Sequence, residues 1–385
     1  MKIKLLNKID KKGLDILAKN GFEYDTDVEN PDAILVRSTK MLDYNFNENL
    51  LCISRAGAGV NNIPLDECSK KGIIVFNTSG ANANGVKELT IASIIMASRN
   101  IVDSIDWVKT LKEDDDLSKT IEANKSNFVG TEIKGKTLGV LGLGSVGGMV
   151  ANAAYNLDMD VLGYDPYISV NAAWHLSRAI NKAESYDEVY ANSDFITIHI
   201  PSLESTRGII NKEAINKMKD GVKIINLARG DLVDSKAIIE AVNSGKISCY
   251  VTDFPTKEMV GVKNIICIPH LGASTSESEE NCAIMAAREI TDFFKHGVII
   301  NSVNYPNITQ TKTTEHRIIV IHKNIPGMLS QISNSYSNIN FNIESLFSQA
   351  KNEYAISVLD THNKPTKEII NNISNIDGVI RTIIN

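Results

Sequence analysis

No stretch of this sequence approaches the roughly 20 apolar residues needed to cross a bilayer. The opening MKIKLLNKIDKK has no apolar core of the kind a secretory signal requires. Nor is there a field of positive charge. The 40 Lys and Arg are outweighed by 46 Asp and Glu, a net charge of −6 that gives neither nucleic acid nor anionic lipid anything to hold. Cysteine is scarce as well. Cys52, Cys68, Cys249, Cys267 and Cys282 are scattered, odd in number and without a CxxC pair, which argues against a disulfide framework and against a zinc site. Cys249 and Cys267 lie inside apolar runs and read as small buried hydrophobes. The expected compartment is a reducing cytoplasm, with no metal, membrane or nucleic-acid partner. The acidic run Glu113–Asp116 reads as a solvated face.

Against these absences stands an alternation of short apolar runs and helix-length amphipathic segments, the rhythm of βαβ units around a parallel sheet. With 385 residues, 43% of them hydrophobic, the chain has material for two or three domains. Strands are predicted at 33–36, 51–53 and 73–76, followed by one long helix over about 86–112. A second series follows at 137–141, 161–163, 195–200, 223–227, 249–252 and 265–268, six strands for a doubly wound domain. A helix over 280–295 then returns to the first domain. After a polar linker, NSVNYPNITQTKTT, the order becomes strand, helix, strand, strand, helix, strand, with strands at 317–322, 341–349, 354–359 and 379–384. That is the ferredoxin-like βαββαβ pattern, expected to be a separate domain with its own core. The predicted fold is α/β: two Rossmann-like doubly wound parallel-sheet domains and a C-terminal ferredoxin-like module.

The segment Thr137–Gly147, TLGVLGLGSVG, is an apolar strand ending in Gly142-Leu143-Gly144-Ser145-Val146-Gly147. A GxGxxG alone is weak, but a strand precedes this one, a helix-compatible run follows, and a second strand ends at Tyr164-Asp165. In such a unit the first glycine permits the tight turn, the second lets a pyrophosphate approach the backbone, and the third lets the helix pack closely. The helix N-terminus then offers amides to the phosphates. A carboxylate at 165 can accept from ribose hydroxyls and repels a 2′-phosphate, which selects NAD over NADP.

Three further segments fall at strand ends, where ligands gather in such sheets. Arg229, in INLARG, can present a guanidinium fork to a carboxylate. His270, in IPHLG, can exchange a proton with a hydroxyl. Asp253 ends a third strand. Taken singly, each has a plain structural reading. Together, behind a dinucleotide turn, they match what hydride transfer from a 2-hydroxy acid requires.

In order along roughly the first 300 residues, GLGSVG with YDP, SDFITIHIP, INLARGDLVD and PHLGAST resemble the D-isomer-specific 2-hydroxyacid dehydrogenases. Val36-Arg37-Ser38, Arg55–Val60, Asn82 and Val129–Glu132 narrow the resemblance to the phosphoglycerate-oxidising branch, and the C-terminal module resembles an ACT domain. The resemblance implies a substrate-binding domain at 1–90 completed by 283–303, an NAD domain at 91–282, a linker at 304–314 and a regulatory domain at 315–385. It implies oxidation of 3-phosphoglycerate in serine synthesis, with Arg229, Glu258 and His270 catalytic. Gly142, Gly144, Ser145, Val146, Gly147, Asp165, His199, Pro201, Leu227, Ala228, Asp253, Gly272 and Ala273 would line NAD. Arg37, Ser38, Arg55, Ala58, Gly59 and Asn82 would face the substrate, the arginines beside its phosphate. His322, Asn324 and Asn342 would hold an L-serine effector, and the chain would form a homo-oligomer, dimer or tetramer. Two alternatives stay open: another D-2-hydroxyacid dehydrogenase, or an NAD-sensing binding protein on the same fold, as in the C-terminal-binding corepressors.

One stretch departs from the family pattern. The catalytic glutamate usually sits in a DVFxxEP-like segment, and here the residues are Asp253-Phe254-Pro255-Thr256-Lys257-Glu258-Met259, without the valine and the second proline. Glu258 has the right offset from Asp253 and is the expected partner of His270. The acidic run at 113–116 stands where relatives are often basic, leaving Lys125 as a candidate for a phosphate contact from a neighbouring subunit.

Overall fold

Short β-branched runs bounded by turns become strands, and the strands collect into three sheets. The computed structural model describes residues 1–337 and 342–385. The chain forms two compact units, residues 1–82 with 279–385, and residues 83–278.

In the first unit, β1 (Lys2–Leu5), β2 (Glu23–Asp25), β3 (Ala33–Val36), β4 (Cys52–Arg55) and β5 (Ile74–Asn77) lie in the order β2-β1-β3-β4-β5, every pair parallel. β3 reads AILV and is buried at every position, as a strand covered on both faces must be. β1 and β2 escape the sequence reading because KIKL alternates charge with apolar residues over four positions and EYD is three residues of polar edge.

In the second unit, β6 (Thr137–Leu141), β7 (Asp160–Tyr164), β8 (Asn181–Lys182), β9 (Phe195–Ile198), β10 (Val222–Asn226), β11 (Ile247–Thr252) and β12 (Ile265–Cys267) form an all-parallel sheet in the order β12-β11-β10-β9-β6-β7-β8. The order reverses between β6 and β9, the switch point where such sheets open a crevice. The sheet has one strand more than the six predicted, because the exposed dipeptide β8 carries no apolar signal. The single helix expected over 86–112 is also broken. Ala83–Arg99 and Ile101–Lys109 are separated by Asn100 at φ 51°, a left-handed conformation that asparagine tolerates better than most residues. Asn100 Nδ2 donates to the Val129 carbonyl at 3.1 Å, which fixes the break.

The C-terminal strands β13 (His316–Lys323), β14 (Ser345–Lys351), β15 (Tyr354–Thr361) and β16 (Val379–Ile384) are antiparallel in the order β14-β15-β13-β16, the ferredoxin-like arrangement. β14 was expected from 341; Phe341 lies outside the described residues, and the strand runs from Ser345. One face of this sheet does have a core of its own, where Ile318, Val320 and Leu359 meet Met328, Ile332, Ile369 and Ile373. The other face does not. Ile319, Ile321, Ile356, Val358 and Ile383 join the core of the first sheet, with Phe76, Phe293 and Tyr305. The module therefore belongs to the first unit and is not set apart as a separate domain. β13 shows why: its Ile318–Ile321 run is apolar on both faces and needs cover on both.

Candidate functional site

The dinucleotide turn sits where the second sheet reverses. Gly142 has φ 89°, and a Cβ there would meet the His199 carbonyl oxygen at 2.8 Å, so the turn requires glycine. A Cβ on Gly147 would lie 1.9 Å from the Gly142 oxygen. Gly144 faces open space and caps the helix Ser145–Tyr155 in an extended conformation. The three glycines thus serve the turn, the helix packing and an open approach. Ser145 is exposed at the first helical position, and Val146 is half-buried. Asp165 follows β7 and closes on the turn: its Oδ2 accepts from Leu143 N at 2.9 Å and its Oδ1 from Tyr167 N at 2.9 Å. His199, at the end of β9, packs against the same turn, its Nε2 2.9 Å from Thr197 Oγ1. Burial lowers its pKa to about 3, so it is neutral at any working pH. Pro201, two residues on, is exposed.

The ends of β10, β11 and β12 carry the chemistry. Buried Asn226 shapes the turn after β10, its Nδ2 donating to Arg229 O at 2.9 Å and its Oδ1 accepting from Ala228 N at 3.1 Å. That turn buries Leu227 and leaves the Arg229 side chain exposed. The guanidinium donates to Ala228 O at 2.7 Å and stands 5.8 Å from the centre of the Phe254 ring. The exposed His270 ring lies 4.5 Å from the same ring, tilted by 48°. Asp253, directly before Phe254, is only 1% exposed. Its Oδ2 accepts from Gly272 N at 3.0 Å, while its buried Oδ1 has no partner. Burial raises its pKa, opposed by the Gly272 amide and by the charges of His270 and Arg229. Ala273 packs beside Gly272 against the second unit's core.

This donor set fits NAD. A turn open at Gly144, a helix N-terminus behind it and a carboxylate at 165 suit a diphosphate and an unphosphorylated ribose. The orphaned Asp253 Oδ1 is an acceptor that a carboxamide N–H of the nicotinamide would satisfy.

Glu258 is placed differently from expectation. It is exposed; its own backbone amide lowers its pKa, and Lys236 supplies the charge that acts on it. Among the described residues the carboxylate that responds to His270 is Asp253. The cause is local: Met259 is buried in the core at 3% exposure, which leaves its neighbour Glu258 on the outer side of the loop. Lys125 is likewise tied to Glu122 within its own segment.

The first unit holds the other group. Asn7 organises the turn after β3, its Oδ1 accepting from the amides of Arg37 (2.8 Å), Ser38 (3.0 Å) and Thr39 (3.3 Å). Arg55 Nε donates to Arg37 O at 3.0 Å, bringing the two arginines together. Arg37 is ion-paired with Glu279, both side chains about half exposed. Ala58 O accepts from Asn77 Nδ2 at 2.6 Å; Gly59 and Asn82 lie half-buried in the neighbouring turns. In the C-terminal sheet His322 is 3% exposed. Its Nδ1 lies 2.8 Å from Lys323 O and its Nε2 2.8 Å from Ser357 Oγ, so both ring nitrogens are engaged inside the sheet. Asn324 and Asn342 are exposed. Asn7 and Glu279 had no place in the sequence reading, and Asn226, inside INLARG, and Phe254, next to Asp253, lay within its motifs without a role of their own.

The family model for the D-isomer specific 2-hydroxyacid dehydrogenase NAD-binding domain matches residues 91–272. The chain is 34% identical over 329 residues to D-3-phosphoglycerate dehydrogenase of Archaeoglobus fulgidus, covering 80% of this chain and 60% of that relative. It is 30% identical over 400 residues to D-3-phosphoglycerate dehydrogenase 1 of Saccharomyces cerevisiae, covering 94% and 81%. The NAD+-bound 3-phosphoglycerate dehydrogenase of Entamoeba histolytica superposes with a TM-score of 0.61 at 28% identity, over 80% of this chain and 99% of that one. Several of these relatives are longer: the chain spans 60% of the archaeal enzyme and 57% of the one from Bacillus subtilis.

Proposed function

This chain belongs to the D-isomer specific 2-hydroxyacid dehydrogenases, and from that premise we propose that it oxidises 3-phosphoglycerate at C2, yielding 3-phosphohydroxypyruvate for serine synthesis. The observation that carries the reading is the placement of Arg229 and His270 on one aromatic ring at neighbouring strand ends, in the unit that holds the dinucleotide turn. Arg229 binds the substrate carboxylate through its fork and steadies the oxygen as it becomes a carbonyl. His270 takes the hydroxyl proton as general base. When bound, NAD accepts the C2 hydride. Asp253 and Gly272 hold the end of the site at which proton and hydride part. Arg37, Ser38 and Arg55 supply donors and charge for a phosphate, with Ala58, Gly59 and Asn82 lining the substrate.

Two finer points belong to the same proposal. An L-serine effector would use Asn324 and Asn342 without His322. A homo-oligomer would cover Ile105, Val108 and Leu117, which are 50%, 44% and 41% exposed on helices that bury no residue. No helix among the described residues is long and apolar enough to cross a membrane.

The test is NADH formation by the purified chain with 3-phosphoglycerate, set against D-lactate and D-glycerate, and repeated with L-serine to millimolar levels. Turnover that favours the phosphorylated acid is expected. Equal or better turnover of the unphosphorylated acids would reassign the substrate, and no turnover at all would leave an NAD-binding protein. An unchanged rate with L-serine would remove the effector.

A further inference from the structure

The Phe254 ring lies beside both residues to which the reaction is assigned. The Arg229 guanidinium carbon lies 5.8 Å from its centroid and the His270 ring 4.5 Å. Both lie within the roughly 6 Å over which an aromatic face attracts a cation. The ring is held from behind: Gly230 comes so close that a Cβ there would meet Phe254 Cβ at 3.2 Å. On the other side, Asp253 fixes the strand end through Gly272, two residues beyond His270. Glu258, the carboxylate expected to steady the imidazole, is exposed on its loop instead.

We propose that Phe254 is a positioning residue for the reaction, its ring setting the relative placement of the Arg229 guanidinium and the His270 imidazole. The proposal rests on the roles given above to Arg229 and His270. Phe254 and Asp253 stand at the end of β11 beside His270, and Arg229, from the end of β10, lies by the same Phe254 ring. An imidazole on a rigid ring also loses less rotamer freedom on adopting the reactive pose, so the effect falls on the chemical step more than on dinucleotide binding.

Phe254→Leu keeps the bulk and removes the π face; Phe254→Tyr keeps both. The His270 ring proton, assigned by NMR, reports the contact without any turnover. In Phe254→Leu its signal should lose the ring-current shift that the 4.5 Å ring contact gives it. The kcat should drop roughly two- to fivefold, with NADH affinity and melting temperature unchanged, and Phe254→Tyr should restore both signal and rate. A leucine variant whose His270 signal stays in place overturns the proposal, as does a tyrosine variant no better than leucine. Because the NMR readout is independent of substrate, a wild type inactive on every 2-hydroxy acid would overturn the functional reading alone, and the His270 signal would still decide on Phe254.

Discussion

The arginines of the two units are held in opposite ways. Arg229 rests on neutral partners, the Ala228 carbonyl and the Phe254 ring, and among the described residues no carboxylate is ion-paired with it. Arg37 carries a carboxylate of its own, Glu279, and an incoming anion has to replace it. The same contrast extends to the buried acids. In the second unit the Arg229 charge opposes the rise that burial gives Asp253. In the first, Glu289 is buried, accepts from Ser54 Oγ and Asn301 Nδ2, each at 2.9 Å, and burial, reinforced by Asp292, pushes its pKa to about 8. One unit keeps its charge unspent for a ligand, and the other quenches it internally. This is how a binding group can be recognised: its charge is oriented by neutral neighbours.

The largest expected consequence lies with the unspent charge. Arg229→Ala removes a donor aimed at developing negative charge and should lower kcat/KM by about 10²–10³. A near-normal kcat/KM would take Arg229 out of the mechanism and erase the contrast. Next comes Glu289. Its folded pKa of about 8 lies above the ordinary 4.5, so the folded state binds the extra proton. The associated stability is present in full below the ordinary value and is lost as pH rises toward 8. The loss is on the order of a few kcal/mol. Glu289→Gln should abolish that slope: between pH 5 and 8.5 the wild type should lose more melting temperature than the variant. Parallel curves would mean that Glu289 is already ionised in the fold. The smallest effect concerns Glu279. An exposed ion pair is worth ~0–1 kcal/mol, so Glu279→Gln should lower KM for 3-phosphoglycerate by roughly two- to fivefold. Its KM for an unphosphorylated 2-hydroxy acid should not move. Equal changes for both substrates would show that Glu279 does not compete with the phosphate for Arg37.

The nucleotide turn was fully legible because each of its glycines answers a local demand that sequence spacing displays. Gly142 needs positive φ, and Gly147 sits where a Cβ has no room. Arg229 and His270 were legible from strand-end position, since a buried apolar run that stops at a charged residue delivers it to the sheet's edge. Glu258 was misjudged because its offset was counted along a loop, and the burial of Met259 turned that loop around. The long helix was overrun at Asn100, whose left-handed backbone is paid for by a contact with residue 129 that no local window contains. His322 looked like a ligand at a strand end, yet its ring reaches across to Ser357 on β15, diagonal to its register partner Ala355. Phe254 and Glu279 were invisible for a related reason: their partners are assembled only by the tertiary fold.

The C-terminal sheet is wetted by two cores, its own through Ile318 and Val320 and the neighbouring sheet's through Ile319 and Ile321. Residues adjacent in sequence therefore report to different interiors across the thickness of one strand. A disturbance arriving on either side must pass through β13, because the strand has no solvent-facing surface to dissipate it. The module thus has no low-cost local opening of its own. Peeling it away would strip the wall from Phe293, Tyr305 and Ile308, so heat or denaturant should find one cooperative boundary here and not two.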